Sequence, residues 1–231
     1  MVFSLVCSAK EVVVMNESKK TFRILCGIFL IVSFVFTLAS NTINLINSVK
    51  WWNTLSEDLA SQMIRSYLTG TVPGWIVSVI LLVAAIFILQ RKLKTAGILT
   101  LLSGIINLVI TGIPIVSLVV LSISAGGVNP LAGIMYVFRF FGAIAVLLFG
   151  VAILTQGNSG KIWCIISAVI GVISTILSTV FSNIQVEGLA VSDYVRSIGT
   201  AFLATAVPMI CVFLARIFLG SYFGANSEKN S

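Results

Sequence analysis

Six apolar stretches, at 22–41, 72–90, 95–113, 135–155, 162–181 and 197–217, leave little of this chain free to fold in water. Each is close to the ~20 residues that a hydrocarbon core about 30 Å thick requires of a crossing helix. The 231 residues are 58% hydrophobic and 9% charged, with a mean hydropathy of +1.14. A soluble domain of that composition would be covered in contiguous apolar surface. The expected fold class is therefore all-α, a polytopic bundle of six transmembrane helices in the lipid bilayer. The expected organisation is an N-terminal leader at 1–21, a transmembrane domain at 22–220 and a polar tail at 221–231.

The basic residues give the orientation. Ten of the fourteen (Lys10, Lys19, Lys20, Arg23, Arg91, Lys92, Lys94, Lys161, Arg216 and Lys229) fall on one side of the spans, and Lys50, Arg65, Arg139 and Arg196 on or near the other. The positive-inside rule then puts both termini in the cytoplasm. The net charge of +7 is read as this topology signal, and no nucleic-acid partner is expected. Residues 1–9 lack the basic region of a signal peptide, and Cys7 lacks the preceding small residue of a lipidated cysteine. A second start at Met15 is one reading of this leader, with residues 1–14 an upstream artefact.

The apolar run 95–125 would make ~46 Å of helix, longer than the core is thick. Pro114 marks where it bends, so an overlong or kinked third helix is expected, with a short re-entrant segment at 115–124 as the alternative.

Absent residues narrow the chemistry. There is no histidine, so haem ligation, zinc-protease chemistry and Ser-His catalysis drop out. Cys7, Cys26, Cys164 and Cys211 have no metal-ligand spacing and read as packing residues. No Asp or Glu falls in a span, which argues against proton coupling through a membrane carboxylate. No catalytic residue, cofactor or metal site is expected.

The spans carry small and polar residues at helical spacing. Ser103, Asn107 and Thr111 share one face of the third helix, either as ligand contacts in a cavity or as hydrogen-bonding glue between helices. Gly97, Gly104, Gly142 and Gly150, and the stripes Ser167, Gly171, Thr175, Ser178 and Ala204, Pro208, Cys211, Ala215, read as close-packing faces. Arg139 lies just inside the fourth span. It either snorkels to the headgroups or turns inward to hold an anionic group.

Outside the spans, 55–68 has a helical apolar period, with a Thr54/Glu57 capping box before it and Gly70 after it. It is expected to form a separate outer amphipathic helix, lying on the membrane, covering the bundle or docking a partner. Trp51, Trp52 and Trp75 supply interfacial anchors. Helices two and three and helices four and five form similar hairpins, a hint of duplication in which 101–106 aligns with 165–170.

The run Lys94-Thr95-Ala96-Gly97-Ile98-Leu99-Thr100-Leu101-Leu102-Ser103-Gly104-Ile105, after a basic turn, resembles a hairpin of uncharacterised small multi-span membrane proteins of Gram-positive bacteria. The resemblance implies a bacterial plasma-membrane location and no functional residue. The first expectation for function is a non-catalytic accessory or interaction subunit that engages a membrane protein partner or its own copies. The alternative is a solute-binding or transport subunit, similar in span count and topology to the substrate-binding subunits of vitamin importers. Its first helix lacks the paired-alanine motif with which those subunits contact their partner. A cavity lined by Asn107, Ser103 and Arg139 would favour the alternative; a solid interior would favour the first.

Overall fold

In lipid every backbone N–H and C=O must be satisfied within the protein, so apolar stretches of this length fold as helices. The computed structural model describes the backbone of residues 2–53, 56–125, 130–184 and 191–227, and most side chains of 18–61, 72–117, 136–181 and 205–225. Its elements are α1 (Val2–Trp52), α2 (Glu57–Leu89), α3 (Leu93–Ala125), α4 (Pro130–Thr155), α5 (Gly157–Ile184) and α6 (Val191–Ser227). Each contains one segment long and apolar enough to cross a membrane, and the chain is a multi-pass membrane protein.

The outward faces fit that solvent. On α3, Ile98, Leu102, Ile105, Val109, Ile113 and Val116 are all more than two-fifths exposed. They recur every three or four residues, which makes a continuous apolar stripe on one side of the helix. Comparable stripes run along α1 through Ile28, Val32 and Val35 and along α5 through Ile162, Ile165, Val169 and Ile173.

Each helix packs on its neighbours in sequence, and α1 meets α6, so the six form a closed ring. α3 and α4 meet backbone to backbone. A β-carbon on Gly104 would lie 2.8 Å from the Leu147 nitrogen, and one on Gly150 would lie 2.7 Å from the Leu101 nitrogen. The two glycines let the backbones touch where lipid supplies no hydrophobic drive. At these two positions the packing reading of the small residues is right.

One end of the ring carries the α2–α3 and α4–α5 turns. α2 stops with Arg91 in the left-handed region at φ 64°, and the Lys92 N–H bonds the Phe87 carbonyl at 2.9 Å while the Arg91 N–H bonds that of Ile88 at 3.1 Å. This is a Schellman closure with arginine where glycine is usual. Arg23 of α1, only 4% exposed, donates Nη1 to the carbonyls of Ile88, at 2.7 Å, and Leu89. Its charge thus meets the negative end of the α2 dipole. Beneath this end lies the apolar core, where Cys26, Ile88, Ile153, Cys164, Leu219 and Phe223 are essentially fully buried. Cys26, Cys164 and Cys211 are free and buried, as packing residues should be.

Several boundaries differ from the sequence reading. The segment 57–70 is helical, but no break separates it from the second span: α2 runs through Gly70 and Pro73. Its N-cap is Ser56, with Glu57 and Asp58 in the first turn. Thr54 and Leu55 lie outside the described residues. The helix carries Gly70, Pro73 and Gly74 because an apolar solvent leaves freed backbone groups no partner outside the protein, which favours helix through such breakers. The third helix is the overlong one, unbroken from Leu93 to Ala125 with Pro114 inside it. α4 ends at Thr155 and α5 begins at Gly157, five residues before the apolar stretch expected from 162, so Gln156 alone separates the two helices. Trp52, read as an interfacial anchor, is buried at 8% exposure.

α6 contains the expected 197–217 stretch and continues to Ser227, with Leu219 and Phe223 in the core. Arg216 does not stand with the flanking cations: its guanidinium packs on Ser167 and Gly171, 10 and 14 residues into the α5 span Gly157–Phe181, which makes it an intramembrane residue.

Candidate functional site

The half of the ring away from the turns is not filled. Between α1, α2, α4, α5 and α6 lies a chamber of about 510 Å³. Hydroxyl groups of Ser33, Thr37, Ser78 and Thr175 stand on its wall beside apolar Phe34, Val146, Val172 and Met209. By a rise of 1.5 Å per residue it extends roughly 16 Å along α6, from Thr205 to Arg216.

Each of those four hydroxyls spends its proton on a helix carbonyl. Thr37 Oγ1 donates to Ser33 at 2.9 Å, Ser78 Oγ to Gly74 at 2.9 Å and Thr175 Oγ1 to Gly171 at 2.7 Å. Ser33 Oγ reaches across the α1–α6 seam to the Pro208 carbonyl at 3.2 Å. What remains on each oxygen is lone-pair capacity, so this part of the wall can accept hydrogen bonds.

Arg216 forms the floor. It is 5% exposed, and its Nη1 donates to the main-chain oxygen of Ser167 at 2.5 Å. Its guanidinium carbon lies 5.4 Å from the centre of the Phe149 ring, in cation–π range. Nε is buried without a hydrogen-bond partner. A small apolar void of about 70 Å³, lined by Leu81, Ala84 and Phe149 among others, also borders Arg216.

The sequence-derived candidates assemble beside this chamber. Asn107, Thr111 and Arg139 line a second cavity of about 350 Å³ together with Phe138, Ser174 and Ser178. Gly142 and Thr175 belong to the walls of both cavities. Arg139 is exposed and lies over the Tyr136 ring, its guanidinium carbon 5.7 Å from the centre. Ser103 is not among the lining residues. It is fully buried, and its Oγ has no hydrogen-bond partner. Gly104 draws α4 into backbone contact at that level and leaves no room for a cavity.

The α5 stripe differs from its packing reading. Ser167 is buried, but Gly171 and Thr175 face the chamber and Ser178 the second cavity. Arg216 was missed as a site residue because it stood near the expected end of its span. The aromatic and aliphatic run Ile217, Phe218, Leu219, Tyr222, Phe223 beyond it was the available signal.

No group of His, Cys, Asp and Glu among the described residues is placed to hold a metal ion. Comparison with protein-family models, with curated proteins and with solved structures finds no match for this chain.

Proposed function

We propose that this protein binds a small solute inside its helix ring, as a solute-binding or transport subunit of a bacterial plasma membrane with both termini in the cytoplasm. The observation that supports this reading is the chamber. Its volume of about 510 Å³ falls in the range of small-molecule sites, ~300–1,000 Å³, and its wall is mostly apolar with a few placed polar groups. A purely accessory subunit needs only helix contacts and would be expected to fill its interior. The orientation keeps its support without Arg216, since nine flanking cations still oppose four.

Native mass spectrometry of the protein extracted from its own membranes in mild detergent tests the proposal. A bound small molecule that a chamber-filling substitution, Gly142→Leu, displaces is the expected result. A stoichiometric protein partner with an empty chamber would return the protein to the accessory class.

A further inference from the structure

We propose that the chamber recognises its solute by a single carboxylate seated on the Arg216 guanidinium. This rests on the solute-binding reading above and narrows it to one ligand class.

The argument begins with charge. The Arg216 guanidinium lies against Ser167 and Gly171, 10 and 14 residues into the α5 span Gly157–Phe181, roughly 15 Å or more along that helix from its start. The carboxylates among the described residues, Glu57 and Asp58, are exposed in the first turn of α2, so none of them reaches that depth. A charged group inside a membrane is costly and is normally paired or functional.

Arg23 is the internal contrast. It is as buried as Arg216, yet its cation caps the C-terminal carbonyls of α2, where the helix dipole offsets it. Arg216 stands in mid-helix against the middle of α5, away from the ends of both helices. The protein offers it one carbonyl and one aromatic face. A guanidinium has five N–H donors, so most of its capacity is left over. The floor of the chamber is where that capacity sits.

The ligand class follows from the shape and sign of the site. Among the described residues Arg216 is the only charged one in the chamber lining, which suits one negative charge rather than two. The planar fork of arginine matches a carboxylate in two-point contact. A space of about 510 Å³ is far larger than a halide needs, and its apolar wall suits an organic body above the head. The hydroxyl lone pairs higher on the wall accept from any O–H or N–H that this body carries.

The test uses the detergent-purified full-length protein and matched probes: hexanoate against hexanamide, benzoate against benzamide, and palmitate. Binding is read by titration calorimetry and by the shift in thermal midpoint. The acids are expected to bind and the neutral amides to bind about tenfold or more weaker, the worth of a charge-assisted hydrogen bond. Arg216→Gln should remove that preference, and Arg216→Lys should keep part of it. Binding of the short acids identifies a water-borne solute, and binding of palmitate alone a membrane-derived one; both support the proposal.

Equal binding of acid and amide, no binding by any acid of the series, or unchanged acid binding by Arg216→Gln overturns it. If that glutamine variant does not fold, the acid–amide comparison on the unaltered protein decides. Gly142→Leu separates the two levels. Amide and acid bound equally, and both lost in Gly142→Leu, would leave solute binding standing without the carboxylate. Probe binding indifferent to Gly142→Leu would remove both.

Discussion

Gly171 of α5 and Arg216 of α6 share one space: a β-carbon built on Gly171 falls onto the Arg216 Nη1, so the guanidinium lies directly against the α5 backbone. This approach is what lets Nη1 reach the Ser167 carbonyl. Gly171→Ala should push the guanidinium off that carbonyl and lower stability by about 1–3 kcal/mol, the usual cost of an overpacked interior. A thermal midpoint in detergent equal to that of the parent would contradict this placement.

The α3–α4 seam makes a paired prediction. Gly150→Ala must separate backbones, because its β-carbon would lie 2.7 Å from the Leu101 nitrogen, and it should cost about 1–3 kcal/mol. Gly74→Ala meets nothing within 4 Å and lies inside α2. It should be neutral, or stabilising by up to ~1 kcal/mol through helix propensity. Denaturant titration of both variants checks the order, which must not reverse.

Removing the α2 cap should be felt at the turn end. Arg23→Gln takes a cation from the carbonyls of Ile88 and Leu89, with an expected loss of about 1.5–3 kcal/mol for hydrogen bonds to a charged group. Hydrogen exchange at 86–92 should quicken in the variant, and unchanged protection there would count against the cap.

The cysteines offer a chemical readout. Cys26 and Cys164 are wholly inaccessible and Cys211 is 8% exposed. In a Cys7→Ser background the folded protein should resist maleimide, and the denatured protein should take three equivalents. Rapid labelling of Cys26 or Cys164 before unfolding would be inconsistent with the buried core.

Arg139 should tolerate replacement. It is exposed over Tyr136 at the side of the smaller cavity, so Arg139→Gln should insert normally and change stability by less than about 1 kcal/mol. A larger loss in thermal midpoint would mean that its charge is held inward.

How much of this could be read in advance follows from the physics of each signal. Lipid imposes a length and an apolarity on every span, so six helices and their order were legible residue by residue. The pairing of Asn107 and Thr111 with Arg139 was legible from helical spacing and depth. Ser103 was not excluded, because its burial depends on how closely Gly104 admits α4, a property of the facing helix. Arg216 was read as a flanking cation because the apolar run of α6 ends naturally at 217. The burial of Leu219 and Phe223 against other helices carries the packed core past it, which α6 alone could not reveal. The break expected at Gly70 failed for a related reason: a single glycine costs a helix about 1 kcal/mol, which neighbouring turns can carry.

The closing seam of the ring also has a temporal side. Phe218 of α6 stacks on Phe22 and Phe29 of α1, at centroid distances of 6.2 and 5.7 Å, and so joins the first of these six helices to the sixth. Until the ribosome has released α6, α1 lacks one of its two neighbours, and Ser33 and Thr37 face an open cleft between helices. Neighbouring hairpins can assemble as they are inserted, but the ring cannot close around its interior before α6 has emerged. The chamber is thus the last part of the ring to form, and a chain arrested before α6 would lack it however well its earlier helices had packed.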